Sequence, residues 1–203
     1  MKTKLALITF GIISVQCIFA NSSTWEQWRG PNRNGIVEDQ SFEWPKNLKG
    51  IEKVWSKSLA EGYSSPIITK DKVFTVETKD KTYEITRAFD RKTGKQLWET
   101  SWEGAMKVPF FARKNGSWVR STPVYDNGTL YVGGIRDVLV ALDAKTGKEK
   151  WNIDFVETEK TTVPTFGFVS SPVILNDFLY IQAGAQVVKL RCSDGKKVWG
   201  AMK

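Results

Sequence analysis

The sequence contains no histidine, and its 203 residues include only two cysteines, Cys17 and Cys192. Without imidazole the chain lacks the commonest general base and the commonest metal ligand, which counts against most hydrolytic schemes. So few thiols, with no cysteine or histidine close by to join them, give no sign of a metal site. Beyond the first twenty residues no apolar run approaches the roughly 20 residues that a membrane-spanning helix needs.

Those first twenty residues read as a secretory signal peptide. Lys2 and Lys4 precede an apolar run from Leu5 to Val15, and Ala20 supplies a small residue for cleavage. The run is short for a membrane anchor. Cys17 raises the option of lipidation, but Gln16 is bulky where a lipoprotein signal places a small residue. The expected location is secreted or periplasmic, with no transmembrane span after cleavage. The mature chain then holds one cysteine, Cys192. Removing Lys2 and Lys4 takes the net charge from +8 to +6. Many lysines fall in turn-like phrases such as "RKTGK" and "AKTGK". They read as solvated turn tips rather than a nucleic-acid groove, which needs a compact basic patch.

What the chain does have is repetition. The phrase "AFDRKTGKQLW" (Ala88–Trp98) returns as "ALDAKTGKEKW" (Ala141–Trp151) and, altered, as "KLRCSDGKKVW" (Lys189–Trp199). The tryptophans are 53 and 48 residues apart. Upstream of each copy stands a second shared phrase, "SSPIITKDKVFTV" from Ser64, "STPVYDNGTLYVG" from Ser121 and "SSPVILNDFLYIQ" from Ser170. Each unit therefore predicts four short antiparallel strands. In the glycine turns, Asp90 and Asp143 can accept backbone N–H bonds, and Gly94, Gly147 and Gly195 can take positive φ. In the third copy Arg191 replaces the aspartate, so the aspartate clamp is expected to be lost and the glycine geometry kept. A four-stranded sheet cannot bury both faces alone, and a large aromatic recurring in each outer strand can dock between neighbouring sheets. The fold predicted is all-β, a partial β-propeller of about three four-stranded blades, with tryptophan-docking motifs. One extra strand is expected around Trp55, left over from an earlier blade.

The phrase A-x-D-x-x-T-G-K-x-x-W resembles the repeat motif of the pyrroloquinoline quinone (PQQ) family, the quinoprotein-dehydrogenase-like β-propellers. "WEQWRGPNRNG" (Trp25–Gly35) is similar to the opening of secreted bacterial members. The domain reading is a signal peptide at 1–20, an N-terminal segment at 21–53, and propeller blades at 54–203. Three blades do not close a ring, so the sequence is read as a truncated form or a fragment. Open blade edges then predict self-association. The resemblance implies one of two trades. Dehydrogenases of this family carry a vicinal cysteine pair, a catalytic aspartate, and carboxylate and amide ligands for calcium. Neither the cysteine pair nor a matching acidic cluster is visible here. Other members are cofactor-free scaffolds in outer-membrane assembly.

The expectation is therefore a non-catalytic binding scaffold, with no catalytic residues, no metal and no cofactor. The alternative is a fragment of a PQQ- and calcium-dependent alcohol or sugar dehydrogenase. A carbohydrate-binding domain is a third reading. The short turns should share one face, and the long connections, Glu99 to Arg120 and Asn152 to Val169, the other. Long loops on a rigid scaffold commonly carry binding. Arg113, Trp118, Arg120, Thr165, Phe166 and Phe168 are the candidate ligand-binding residues there. Arg120 is the leading choice for a charge facing a protein, peptide or glycan partner at the propeller mouth. The competing reading is that the phenylalanines only pack the loops onto the blades.

Overall fold

The computed structural model describes residues 24–37, 46–47, 49, 51–104 and 106–201. The expected signal peptide lies outside the described residues. Twelve strands form three separate antiparallel sheets, each ordered as in the chain. The first holds β1 (Ile67–Ile68), β2 (Lys72–Lys79), β3 (Tyr83–Asp90) and β4 (Gln96–Glu103). The second holds β5 (Val124–Asp126), β6 (Thr129–Gly134), β7 (Val138–Asp143) and β8 (Glu149–Asp154). The third holds β9 (Val173–Leu175), β10 (Phe178–Ala183), β11 (Gln186–Arg191) and β12 (Lys197–Ala201).

The period-2 alternation of strands explains how the sheets stack. In the second sheet, Leu130, Val132, Val140 and Leu142 pack with Ile67, Phe74, Val76 and Ala88 of the first. The alternate residues Tyr131, Leu139 and Ala141 pack with Leu179, Ile181, Val188 and Leu190 of the third. The middle sheet is thus buried on both faces, and β6 is buried at every position. A sandwich would bury one face of each sheet. Here the core is divided between two successive interfaces, as in blades stacked about an axis.

Three kinds of polar contact recur at these interfaces, each at equivalent positions. The first uses the repeat tryptophans. Trp98 Nε1 donates to the Ala144 carbonyl at 3.2 Å, and Trp151 Nε1 donates to the Cys192 carbonyl at 3.0 Å. The accepting residue is in each case the one after the aspartate position of the next glycine turn. The indole then lies over that turn's glycine, Trp98 on Gly147 and Trp151 on Gly195. A β-bulge immediately before each tryptophan, at the Ala88/Phe89, Ala141/Leu142 and Lys189/Leu190 steps, inserts one extra residue and re-aims the ring.

The second contact explains the Ser/Thr-Pro phrases. Ser65 N donates to Thr122 Oγ1 at 3.2 Å, and Thr122 N donates to Ser171 Oγ at 3.0 Å. The residue before each proline passes a hydrogen bond to its counterpart in the next unit.

The third is a buried carboxylate at the head of the third strand. Glu84 of the first sheet accepts from Ile135 N of the second at 2.7 Å and from Trp102 Nε1 at 2.7 Å. Asp137, its counterpart in the second sheet, accepts from Gly184 N of the third at 2.8 Å. Burial pushes the Glu84 carboxyl up to about 7 against the pull of its two donors. Burial raises Asp137 as well. In the third sheet the equivalent position is Ala185.

The turns behave as their residues dictate. Asp90 Oδ1 accepts from the backbone of Lys92 and Thr93 and from the Thr93 hydroxyl. Asp143 repeats this with Lys145 and Thr146. These bonds hold both exposed carboxyls below the usual range, the threonine hydroxyl bond being the largest cause. In the third copy the clamp is gone: Arg191 Nε pairs with Asp194 at 2.9 Å instead. Gly195 N still bonds the Arg191 carbonyl at 2.9 Å, and φ at Gly195 is +71°.

Two expectations are corrected. Residues 51–60 around Trp55 form no ladder and so no strand. The segment is fixed by its indole, which donates to the Arg91 carbonyl at 2.9 Å and covers Gly94. The connection expected to begin at Glu99 instead begins after Glu103, because β4 pairs with β3 out to Tyr83↔Glu103. The N-terminal segment runs along the first strands. Trp25 exchanges backbone bonds with Ile68, and Glu26 accepts from Tyr125 N at 2.8 Å.

Candidate binding face

The glycine turns and the β1–β2, β5–β6 and β9–β10 turns do share one face. Arg91 N, Ala144 N and Cys192 N each bond a carbonyl of the neighbouring short turn, at Asp71, Gly128 and Asp177. The opposite face carries two loops and the β2–β3, β6–β7 and β10–β11 turns. The first loop contains a 3-10 turn at Phe110–Asn115, opened by Pro109. The second begins with a short helix, α1 (Phe155–Glu159), capped by Asp154, which accepts from Glu157 N at 3.0 Å.

Two adjoining cavities open on this face, of about 950 Å³ and about 700 Å³. They share Met106, Lys107, Val108 and Arg113. The larger adds Lys81, Lys114 and Trp118, and the smaller adds Phe110, Arg136 and Thr165. Neither lining contains an acidic residue. An arginine placed among lysines over apolar walls can take a carboxylate or a sulfur or phosphorus oxyanion in a fork.

The residues expected from sequence are divided by the fold. Arg113, Trp118 and Thr165 reach the cavities. Phe166 stands beside them in solvent, its ring edge-on to Phe111 at 6.3 Å. Phe168 lines neither of these two cavities and only borders a smaller one of about 290 Å³. It is 2% exposed in the core between the second and third sheets, lying over Gly133, and its backbone bonds Ile135. Its bulk fills the space that the missing side chain of Gly133 leaves. Arg120 lines neither of these two cavities. Its guanidinium lies 5.2 Å from the centre of the Tyr63 ring, and Nη2 donates to the Gly116 carbonyl at 3.3 Å. It braces the loop against Tyr63, which in turn packs on Trp118 at 5.6 Å. Lys81, Lys107, Lys114 and Arg136 were not singled out from the sequence. They come from two hairpin turns and a loop, and only the turning of the sheets brings them together.

The comparisons with known proteins agree with this architecture. Residues 81–202, more than half of the chain, match the family model described as outer membrane protein assembly factor BamB, a group of PQQ-like repeats. The chain belongs to this family. This PQQ-like chain is 27% identical over 154 residues to the outer membrane protein assembly factor BamB of Yersinia pestis, covering 72% of the chain and 35% of that relative. It is 30% identical over 115 residues to the tetrathionate hydrolase of Acidithiobacillus ferrooxidans, covering 56% of the chain and 21% of the relative. Among solved structures, the quinohemoprotein alcohol dehydrogenase from Comamonas testosteroni superposes with a TM-score of 0.64 at 19% identity, over 90% of the chain and 27% of that protein. At that identity the match establishes the propeller fold and nothing finer. The PQQ-like chain spans about a fifth to about a third of the length of these proteins.

The dehydrogenase members imply a quinone and calcium. Cys17 and Cys192 cannot form a vicinal thiol pair, and among the described residues no three of Asp, Glu, Cys or His converge as metal ligands. No helix among the described residues is long and apolar enough to cross a membrane.

Proposed function

We propose that this chain is part of a secreted or periplasmic PQQ-like propeller acting as a non-catalytic binding platform, with the loop face as its working surface. The observation that carries the reading is the donor set of that face. It offers exposed cations and aromatic rings over cavities without a carboxylate, which suits capture of a partner and suits neither calcium nor proton abstraction. The opposite face is made of short turns that hydrogen-bond one another through their backbones. The leader read at residues 1–20 supports an extracytoplasmic location, and the BamB relatives, named as assembly factors of outer membrane proteins, support a scaffold role.

The reading is tested by supplying PQQ and Ca²⁺ to the purified protein and following quinone absorbance and alcohol-dependent dye reduction. The platform reading expects neither a shifted quinone spectrum nor turnover. Alcohol-dependent reduction that needs both additions would replace it with the dehydrogenase reading.

A further inference from the structure

We propose that the groove formed by the two adjoining cavities binds an acidic oligosaccharide, one with a carboxylate or sulfate on successive sugars. The inference rests on the platform reading and names the class of ligand.

Charge is the first argument. Lys81 from the β2–β3 turn, Lys107, Arg113 and Lys114 from the first loop, and Arg136 from the β6–β7 turn converge on one concavity. Among the described residues none of the five pairs with a carboxylate, and no acidic side chain lines either cavity. Like charges gathered in a cleft with low-dielectric walls repel one another and raise the local concentration of anions. An anion that bridges them relieves the repulsion, and Arg113 and Arg136 can each grip an oxyanion in a fork.

Extent is the second argument. Small-ligand pockets typically measure about 300–1,000 Å³. Each of the two cavities, about 950 Å³ and about 700 Å³, lies within that range by itself, and Lys107 and Arg113 line both, so a ligand reaching all the cations has to span two such sites. Cations spread along both call for a ligand whose negative groups repeat.

The third argument is the apolar rim. Phe110, 79% exposed, lines the smaller cavity. Its ring meets Phe111 edge-on at 5.6 Å, and Phe111 meets Phe166 at 6.3 Å. Three neighbouring phenylalanines left in water form a patch of the kind that marks a binding surface. The C–H face of a pyranose ring lies well on such rings. A peptide has less to hold here. The lining is loop and turn, with no unpaired strand edge to extend and no groove cut for a helix.

Isothermal titration calorimetry at low salt tests the proposal with oligogalacturonate and heparin oligosaccharides as probes, and with neutral dextran and polyglutamate as comparisons. At least one acidic glycan is expected to bind, losing affinity steeply as salt shortens the screening length to about 8–10 Å. Dextran is expected not to bind. Arg113→Ala with Arg136→Ala should weaken binding at least about tenfold. Lys92→Ala with Lys145→Ala, which removes the same charge from the opposite face, should leave it unchanged. Phe111→Ala should weaken the glycan several-fold and leave any polyglutamate affinity as it was. No heat with either acidic glycan, polyglutamate binding as tightly, or an inert Phe111→Ala would each overturn the proposal. The two readings fail separately. Alcohol-dependent dye reduction removes the platform, while absent glycan binding without dye reduction removes only the ligand class.

Discussion

A glycine can be required for what passes over it as much as for its φ. Gly195 and Gly128 both have positive φ, +71° and +77°. A Cβ at Gly195 would stand 2.8 Å from the Trp151 ring, while one at Gly128 would meet nothing within 4 Å. Gly128→Ala should therefore cost only the left-handed strain, about 1–2 kcal/mol. Gly195→Ala should add the cost of pushing back an indole, for a total of about 2–4 kcal/mol. Urea denaturation of the two variants measures the difference. Equal losses would mean that the indole does not rest on the turn. The sequence pointed to Gly195 as a turn residue. That a tryptophan from another sheet covers it was not legible, because the contact joins positions 44 residues apart in the chain.

Between elements, the Glu84 bond ties the first sheet to the second through a carboxyl that is buried outright. Its folded value, about 7, stands above the ordinary 4.5. Between those values the unfolded chain has lost the proton and the folded chain keeps it, so the folded state binds more protons and stability falls as pH rises. The full effect is up to roughly 3 kcal/mol between pH 4.5 and pH 7. Glu84→Gln should flatten that slope, as read from urea midpoints across the range. An unchanged slope would show that Glu84 does not titrate there. Nothing in "TYEIT" marks Glu84 for burial, since an alternating strand with one glutamate reads as half-exposed. The strands and hairpins were readable because periodicity and turn residues are local signals. The extent of β4, the unpaired state of residues 51–60, and the inward turn of Phe168 depend on neighbours that local pattern does not encode. The same limit applied to the candidate site. Arg113, Trp118 and Thr165 sit on the loops where they were expected, whereas Arg120 is claimed by Tyr63 and Gly116, and Lys81 and Arg136 reach the groove from hairpins in different sheets.

Across the whole molecule, the repeated contacts form a series. Trp55 closes on Arg91, Trp98 on Ala144, and Trp151 on Cys192. Trp199 is packed on Tyr180 at 6.1 Å and is 41% exposed, with no carbonyl partner among the described residues. The niche at Arg91 and Gly94 is already filled by Trp55, so a second copy cannot simply seat its Trp199 there. The central claim is that each repeat tryptophan bonds the neighbouring sheet. Hydrogen exchange of the indole N–H groups, followed in a ¹⁵N NMR spectrum with each tryptophan assigned by substitution, tests it directly. Trp98 and Trp151 should exchange slowly and Trp199 fast. Rapid exchange at Trp98 and Trp151, or equal protection at all three, would contradict the stacked-sheet account.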